Sequence, residues 1–192
     1  MLELAVLGLL KERPMHGYQL SRELTDSLGG LWRVSYGSLY PTLRRLERDG
    51  AIESEDGDER GARRKKVYRI TEAGEGMFLD LLQEAPQDGQ AEDARFRMRL
   101  AFFRSLPPET RIRLLERRRQ ALQRRLATVS ESLRADRADD VYGTALIEHS
   151  RESIGSDITW LDGLIAAERR KSATASGLNR RRAALRGKEK VS

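Results

Sequence analysis

Val34-Ser35-Tyr36-Gly37-Ser38-Leu39-Tyr40-Pro41-Thr42-Leu43-Arg44-Arg45-Leu46-Glu47-Arg48-Asp49-Gly50 is the stretch on which the fold turns. It reads as a short amphipathic helix, because Leu39, Leu43 and Leu46 recur at i, i+4, i+7 and share one face. Ser38, Thr42 and Arg45 lie on another face, flanked by Arg44 and Arg48. Gly50 is a natural stop, since glycine enters the left-handed cap without a Cβ penalty. Proline is tolerated in a first helical turn and distorts a later one. The cap therefore falls on Ser38, or on Ser35 with some distortion at Pro41. Leucines inward with hydroxyls and arginines outward suit an ordinary surface helix, and also one that enters a DNA major groove. The neighbouring sequence separates the two.

Upstream, Leu2, Ala5, Val6, Leu9 and Leu10 fit a buried helix that ends before Pro14. A second helix from about Gly17 carries Leu20, Leu24 and Leu28, and Gly29-Gly30 stop it. Leu31-Trp32-Arg33-Val34 is a short extended link. Downstream the period changes to two. Ala51–Glu55 and Lys65–Thr71 read as strands around a polar loop, 56–64. Helix, helix, helix, hairpin is the order of a winged helix-turn-helix with a small β-hairpin wing. Six basic residues and no acid lie between Arg60 and Arg69 (Arg60, Arg63, Arg64, Lys65, Lys66, Arg69). That charge suits a DNA backbone, although lysines also protect edge strands from aggregation.

The motifs resemble the PadR family of bacterial transcriptional regulators. The matching residues are Leu4-Ala5-Val6-Leu7-Gly8-Leu9-Leu10, Pro14-Met15-His16-Gly17-Tyr18-Gln19-Leu20, Ser35-Tyr36-Gly37-Ser38-Leu39-Tyr40-Pro41 and Leu43-Arg44-Arg45-Leu46-Glu47 with Gly50. Arg64-Lys65-Lys66-Val67-Tyr68-Arg69-Ile70-Thr71-Glu72-Ala73-Gly74 closes the match, which covers roughly the first 75 residues. One departure is in the wing: the family usually places proline in its turn, where this chain has Gly61-Ala62-Arg63-Arg64. The resemblance implies a repressor that binds double-stranded DNA as a dimer. By position, Ser35, Tyr36, Ser38, Tyr40 and Pro41 fall on the recognition-helix motif. Gly17 and Tyr18 fall where the preceding helix approaches the backbone, and Arg64, Lys65 and Lys66 fall on the wing beside Arg63. Hydroxyls and helix amides hold phosphates and fix register. Arg44, Arg45 and Arg48 are the candidates for guanine edges. Tyr36 and Tyr40 are one turn apart, so each either packs or touches DNA. His16 has no ligand set and reads as a helix-entry or packing residue.

Thr71 caps a fourth helix with Met77, Phe78, Leu81 and Leu82 on its apolar face. Ala85–Gln90 breaks it, which places a DNA-binding domain at 1–85. Beyond it, residues 94–103 form another apolar helix. Pro107-Pro108 starts a long one in which Ile112, Leu115, Arg119, Leu122, Leu126, Val129 and Leu133 alternate steps of three and four. A last helix, about 140–170, places Ile147, Ile154, Ile158, Leu161 and Ile165 on one stripe. Narrow seams of this length are expected to pack against each other and against a second copy, so Ile112, Leu115, Leu122, Leu126, Val129, Ile154, Ile158, Leu161 and Ile165 are the expected dimerisation residues. Residues 91–170 form a helical dimerisation domain, in which Trp160 either lines a small-molecule effector pocket or packs. A dimer matches a palindromic operator.

The 192-residue chain carries a net charge of +6. All of it sits beyond Arg170, where seven basic residues face one acid. Residues 171–192 therefore read as a basic disordered tail, either adding phosphate attraction or only keeping the chain soluble. The chain has no cysteine, which suits a reducing cytoplasm. Two histidines make a structural metal or cofactor unexpected. The apolar run Leu4–Leu10 is too short to span a bilayer. No glycine-rich phosphate loop or nucleophile elbow argues for an enzyme. The expected function is a sequence-specific DNA-binding regulator. A winged-helix adaptor that binds only protein is the alternative.

Overall fold

The computed structural model describes the backbone of residues 1–26, 36–56, 66–84, 90–135 and 140–189, and most side chains within them. Ser35, Arg63, Arg64 and Lys65, the side chain of Tyr36, the link 27–34 and the loop 57–65 lie outside the described residues, as do the side chains of Leu133 and of 175–189. The chain is mainly α-helical. It forms two compact units, Met1–Ser105 and Leu106–Ser192.

The first unit contains α1 (Leu2–Glu12), β1 (Met15–His16), α2 (Gly17–Asp26), α3 (Tyr36–Arg48), β2 (Ile52–Asp56), β3 (Lys66–Ile70), α4 (Glu72–Gln83) and α5 (Gln90–Ala101), followed by a 3₁₀ turn at Phe103–Ser105. Every residue from Leu4 to Leu10 in α1 is buried. A helix that is apolar all round is a core helix, and α1 touches α2, α3, α4 and β3. Leu20 and Leu24 of α2 and Leu39, Leu43 and Leu46 of α3 are fully buried. The three strands form one antiparallel sheet in the order β1-β3-β2. The hairpin strands begin one residue later than the sequence pattern suggests. Met15–His16, not expected to be a strand, adds a third one, pairing Met15 with Tyr68 and His16 with Val67. Two residues are too few to show a period.

Two turns fix how α3 passes into the sheet and the sheet into α4. Gly50 adopts φ +72°, the left-handed cap expected of it. Thr71 Oγ1 accepts from the Gly74 amide at 3.1 Å and donates to the Gly50 carbonyl at 2.6 Å. One hydroxyl thus caps α4 and ties it to the end of α3. Gly74 is held tightly: a Cβ there would lie 1.9 Å from the Ala51 carbonyl oxygen.

The first compact unit extends beyond the expected boundary at 85–90. α5 and the 3₁₀ turn belong to the first unit, which ends at Ser105. The reason is aromatic packing. The Phe102 ring lies against Gly8 of α1, where a Cβ would come within 2.4 Å of it. It also meets Phe78 of α4 edge-to-face at 5.9 Å, and Phe96 meets Phe103 in the same way at 6.2 Å. Arg99, itself buried, forms an ion pair with buried Glu92 and donates to the Glu84 carbonyl at 2.6 Å.

The second unit pairs α6 (Pro108–Ala135) with α7 (Val141–Glu189). Asp140 caps α7 through the Gly143 amide at 2.9 Å. Leu115, Leu122, Ile154, Leu161 and Ile165 are buried within this unit. Arg111 reaches Glu168 at 3.1 Å, Arg119 reaches Asp162 at 2.8 Å and Arg169 reaches Glu116 at 2.5 Å. α7 runs to Glu189, through most of the stretch expected as a basic tail. That stretch has no proline and is rich in alanine, leucine, lysine and arginine, and two glycines, at roughly 1 kcal/mol each, do not stop a helix. No helix among the described residues is long and apolar enough to cross a membrane.

Thr71→Ala should lower the stability of the chain by about 1 kcal/mol, the usual value of an N-cap. Phe102→Ala should cost about 3 kcal/mol or more, because it leaves a cavity against Gly8 and Phe78. Denaturant titration followed by circular dichroism measures both, and equal losses would contradict the ranking.

Candidate nucleic-acid interface

With Leu39, Leu43 and Leu46 inward, α3 turns Gly37, Ser38, Tyr40, Pro41, Arg44, Arg45 and Arg48 outward. The helix begins at Tyr36, so Ser38 is not the cap and Pro41 stands inside the helix. A proline there has no N–H for the Gly37 carbonyl. Thr42, expected on the outer face, is buried, and its hydroxyl donates back to the Ser38 carbonyl at 2.9 Å. The outward surface is therefore narrower than the sequence pattern suggests, and proline rather than threonine lies at its centre.

The arginines on this surface differ in setting. Arg45 leans away from the hairpin and pairs with Glu3 of α1 at 2.5 Å. Arg48 pairs with Asp49 at 3.3 Å and is largely exposed. Arg44 is exposed on the hairpin side, close enough to Tyr68 for its charge to be felt there. Of the three expected base-readers, Arg44 and Arg48 face solvent most freely, while Arg45 is partly spent on holding α3 to α1.

Gly17 and Tyr18 separate in the same way. Tyr18, at the start of α2, is 64 % exposed. Gly17 is buried, because Tyr40 lies over it: a Cβ at Gly17 would meet the Tyr40 hydroxyl at 3.2 Å. Glycine here admits the Tyr40 ring. Tyr40 itself remains 40 % exposed, so it packs with one edge and offers the other to solvent.

In the hairpin, directly opposed residues share a face. Ser54 opposes Tyr68, and Glu53 opposes Arg69. Tyr68 is buried on the inner face, while Arg69 and Glu53 form an ion pair at 3.7 Å on the outer face. Lys66 Nζ lies 3.7 Å from Glu47 of α3, and Ser54 Oγ donates to that same Glu47 oxygen at 2.5 Å. Two of the expected wing cations, Lys66 and Arg69, therefore have acidic neighbours that the linear charge run does not reveal. Glu47 escaped notice in the sequence because it reads as one more charge on an amphipathic helix. Its position directly after buried Leu46 is the signal that places it on a flank of α3.

Burial, aided by the Glu47 carboxylate and by Tyr40, raises the Tyr68 phenol above its ordinary value, against a lowering pull from Arg44. The folded state thus favours the neutral phenol. Its contribution is complete below the unfolded value of about 10 and is lost as pH rises through the higher folded value. Stability should therefore fall above about pH 10, and Tyr68→Phe should flatten that fall. Denaturant midpoints across alkaline pH test this, and an unchanged slope would count against it.

Two family models match the chain, one in each half. A model described as the transcriptional regulator PadR-like family matches residues 6–78. A second, described as the virulence activator alpha C-term, matches residues 94–169. The transcriptional regulator Rv3488 of Mycobacterium tuberculosis is 45% identical over 77 residues, which span 40% of this chain and 68% of that protein. The negative transcriptional regulator PadR of Bacillus subtilis is 27% identical over 131 residues, 68% of this chain and 70% of that one. A solved structure of Bacillus subtilis PadR in complex with operator DNA aligns with 87% of this chain and 98% of its own, at 21% identity and a TM-score of 0.44. With a winged helix-turn-helix inside the matched span, and a relative 45% identical across more than two thirds of that relative's length, the chain belongs to the PadR-like family of transcriptional regulators.

Proposed function

We propose that this chain is a sequence-specific DNA-binding repressor that acts as a homodimer on a palindromic operator and is released by a small-molecule or other signal. The observation that carries the reading is the outer surface of α3. A helix anchored by three fully buried leucines presents Ser38, Tyr40, Pro41, Arg44 and Arg48 beside a hairpin. Serine and tyrosine hydroxyls position phosphates, and exposed arginines suit guanine edges in the major groove. Membership of a family of transcriptional regulators supports it.

The dimer reading takes a different surface from the one the sequence suggests. Five of the nine expected dimerisation residues (Leu115, Leu122, Ile154, Leu161, Ile165) are buried in the chain's own second unit. Ile112, Leu126, Val129 and Ile158 are half-buried there. The opposite side of α7 exposes Tyr142, Leu146, His149, Ser153, Ser156, Trp160 and Gly163. These residues alternate steps of four and three and carry no acid, lysine or arginine. Tyr142 is 89 % exposed and Leu146 67 %. An uncharged heptad stripe between charged neighbours is the pattern of a helix that packs on another copy, and its serines and glycine allow close approach. On this reading Trp160, 47 % exposed, belongs to the seam between copies, where an effector pocket between two chains would also lie.

Selection of bound fragments from genomic DNA tests the function, and a wild-type chain that prefers no duplex over random competitor refutes it. On a selected fragment, Arg44→Ala and Arg48→Ala should each weaken binding. A residue that contacts phosphate should also lower the log–log salt slope by about one unit. The doubly substituted Leu146→Glu, Trp160→Glu chain should sediment as a monomer while keeping its helical signal. A dimer that survives both charges would place the interface elsewhere.

A further inference from the structure

Glu47 is an acid on a surface that is otherwise suited to phosphate. Electrostatics alone disfavours it there, because each carboxylate weakens attraction to the DNA backbone. Its geometry gives it another use. One oxygen accepts from Ser54 of β2 at 2.5 Å and lies 3.7 Å from Lys66 of β3. It therefore joins α3 to both strands of the hairpin at once. On the other flank, Arg45 joins α3 to Glu3 of α1 at 2.5 Å. The helix is tied on each side of its outward surface.

We propose that Glu47 is a positioning residue that sets the angle between the hairpin and α3, trading general phosphate attraction for discrimination between DNA sequences. The inference rests on the DNA-binding reading above. Glu47 touches no base. It acts through Ser54 and Lys66, by holding the hairpin where its cations meet the duplex in register with Arg44 and Arg48. A hairpin free to shift would still attract phosphate, but it would do so on any sequence.

Three full-length variants separate this from a plain charge effect. Glu47→Ala removes both the charge and the acceptor. Glu47→Gln removes the charge but keeps an oxygen for the Ser54 hydroxyl. Ser54→Ala removes only the donor. Binding is measured to a selected genomic fragment and to a random duplex of equal length. Glu47→Ala should lower the ratio of the two affinities about tenfold, the scale of one mismatched base pair. Ser54→Ala should lower it in the same direction, and the double variant should be no worse than Glu47→Ala, since the two residues act as one unit. Glu47→Gln should recover most of the ratio while binding random duplex more tightly than wild type. Unfolding midpoints close to wild type would separate positioning from loss of fold.

If Glu47→Ala and Glu47→Gln both raise specific and random binding by the same factor, Glu47 is only a misplaced charge and the inference is overturned. The inference fails too if the Glu47→Ala and Ser54→Ala effects simply add. A wild-type chain without preference for any duplex defeats the DNA-binding reading itself, whereas a selective wild type with an unchanged Glu47→Ala ratio defeats only this inference.

Discussion

The first unit depends on one constraint, the complete burial of α1. Seven successive residues, Leu4 to Leu10, have no solvent-facing side. A helix of this kind cannot sit on a surface. It must be covered from every direction, and α2, α3, α4 and β3 supply the cover. Each of those elements is amphipathic and turns its polar side out. The outward surface of α3 is thus a consequence of what α3 covers, since Leu39, Leu43 and Leu46 point inward. Gly8 is part of the same constraint. Its missing side chain lets the Phe102 ring pack against α1, and this draws α5 into the unit.

Electrostatics then divides the outer surface. The arginines of α3 look equivalent along the chain, yet one is pulled to Glu3, one to Asp49, and one lies exposed on the hairpin side. The arginines of these pairs are at least half exposed, so each pair contributes on the order of 0–1 kcal/mol. Their value is in direction: they decide which guanidinium faces solvent and which spans two helices. The same holds for the hairpin, where cross-strand pairing puts Arg69 against Glu53. Linear charge counting overstates the positive field of such a surface, because it ignores what each cation meets across the fold.

The second unit shows how one long helix can serve two contacts. Ile154, Leu161 and Ile165 of α7 are used in packing with α6 inside the chain, supported by ion pairs at both margins. A separate stripe, from Tyr142 through Leu146 and Trp160, stays open. The apolar residues of α7 therefore fall into two heptad series on different sides, and only packing shows which series is already occupied.

By itself the sequence determined the helix order, the leucine seam of α3, the Gly50 stop and the Thr71 cap, because these follow from local periodicity and backbone chemistry within a few residues. The motifs from Leu4 to Gly74 were enough to indicate the family. Only the tertiary structure decided the rest. β1 needs β3, some fifty residues away, to become a strand. α5 belongs to the first unit because Phe102 finds Gly8. Thr42 turns inward, Gly17 makes room for Tyr40, and Glu47 binds the hairpin, none of which spacing along a helix can reveal. The physical reason is the same in each case: periodicity fixes which side a residue is on, but what lies opposite it is set by elements distant in the chain.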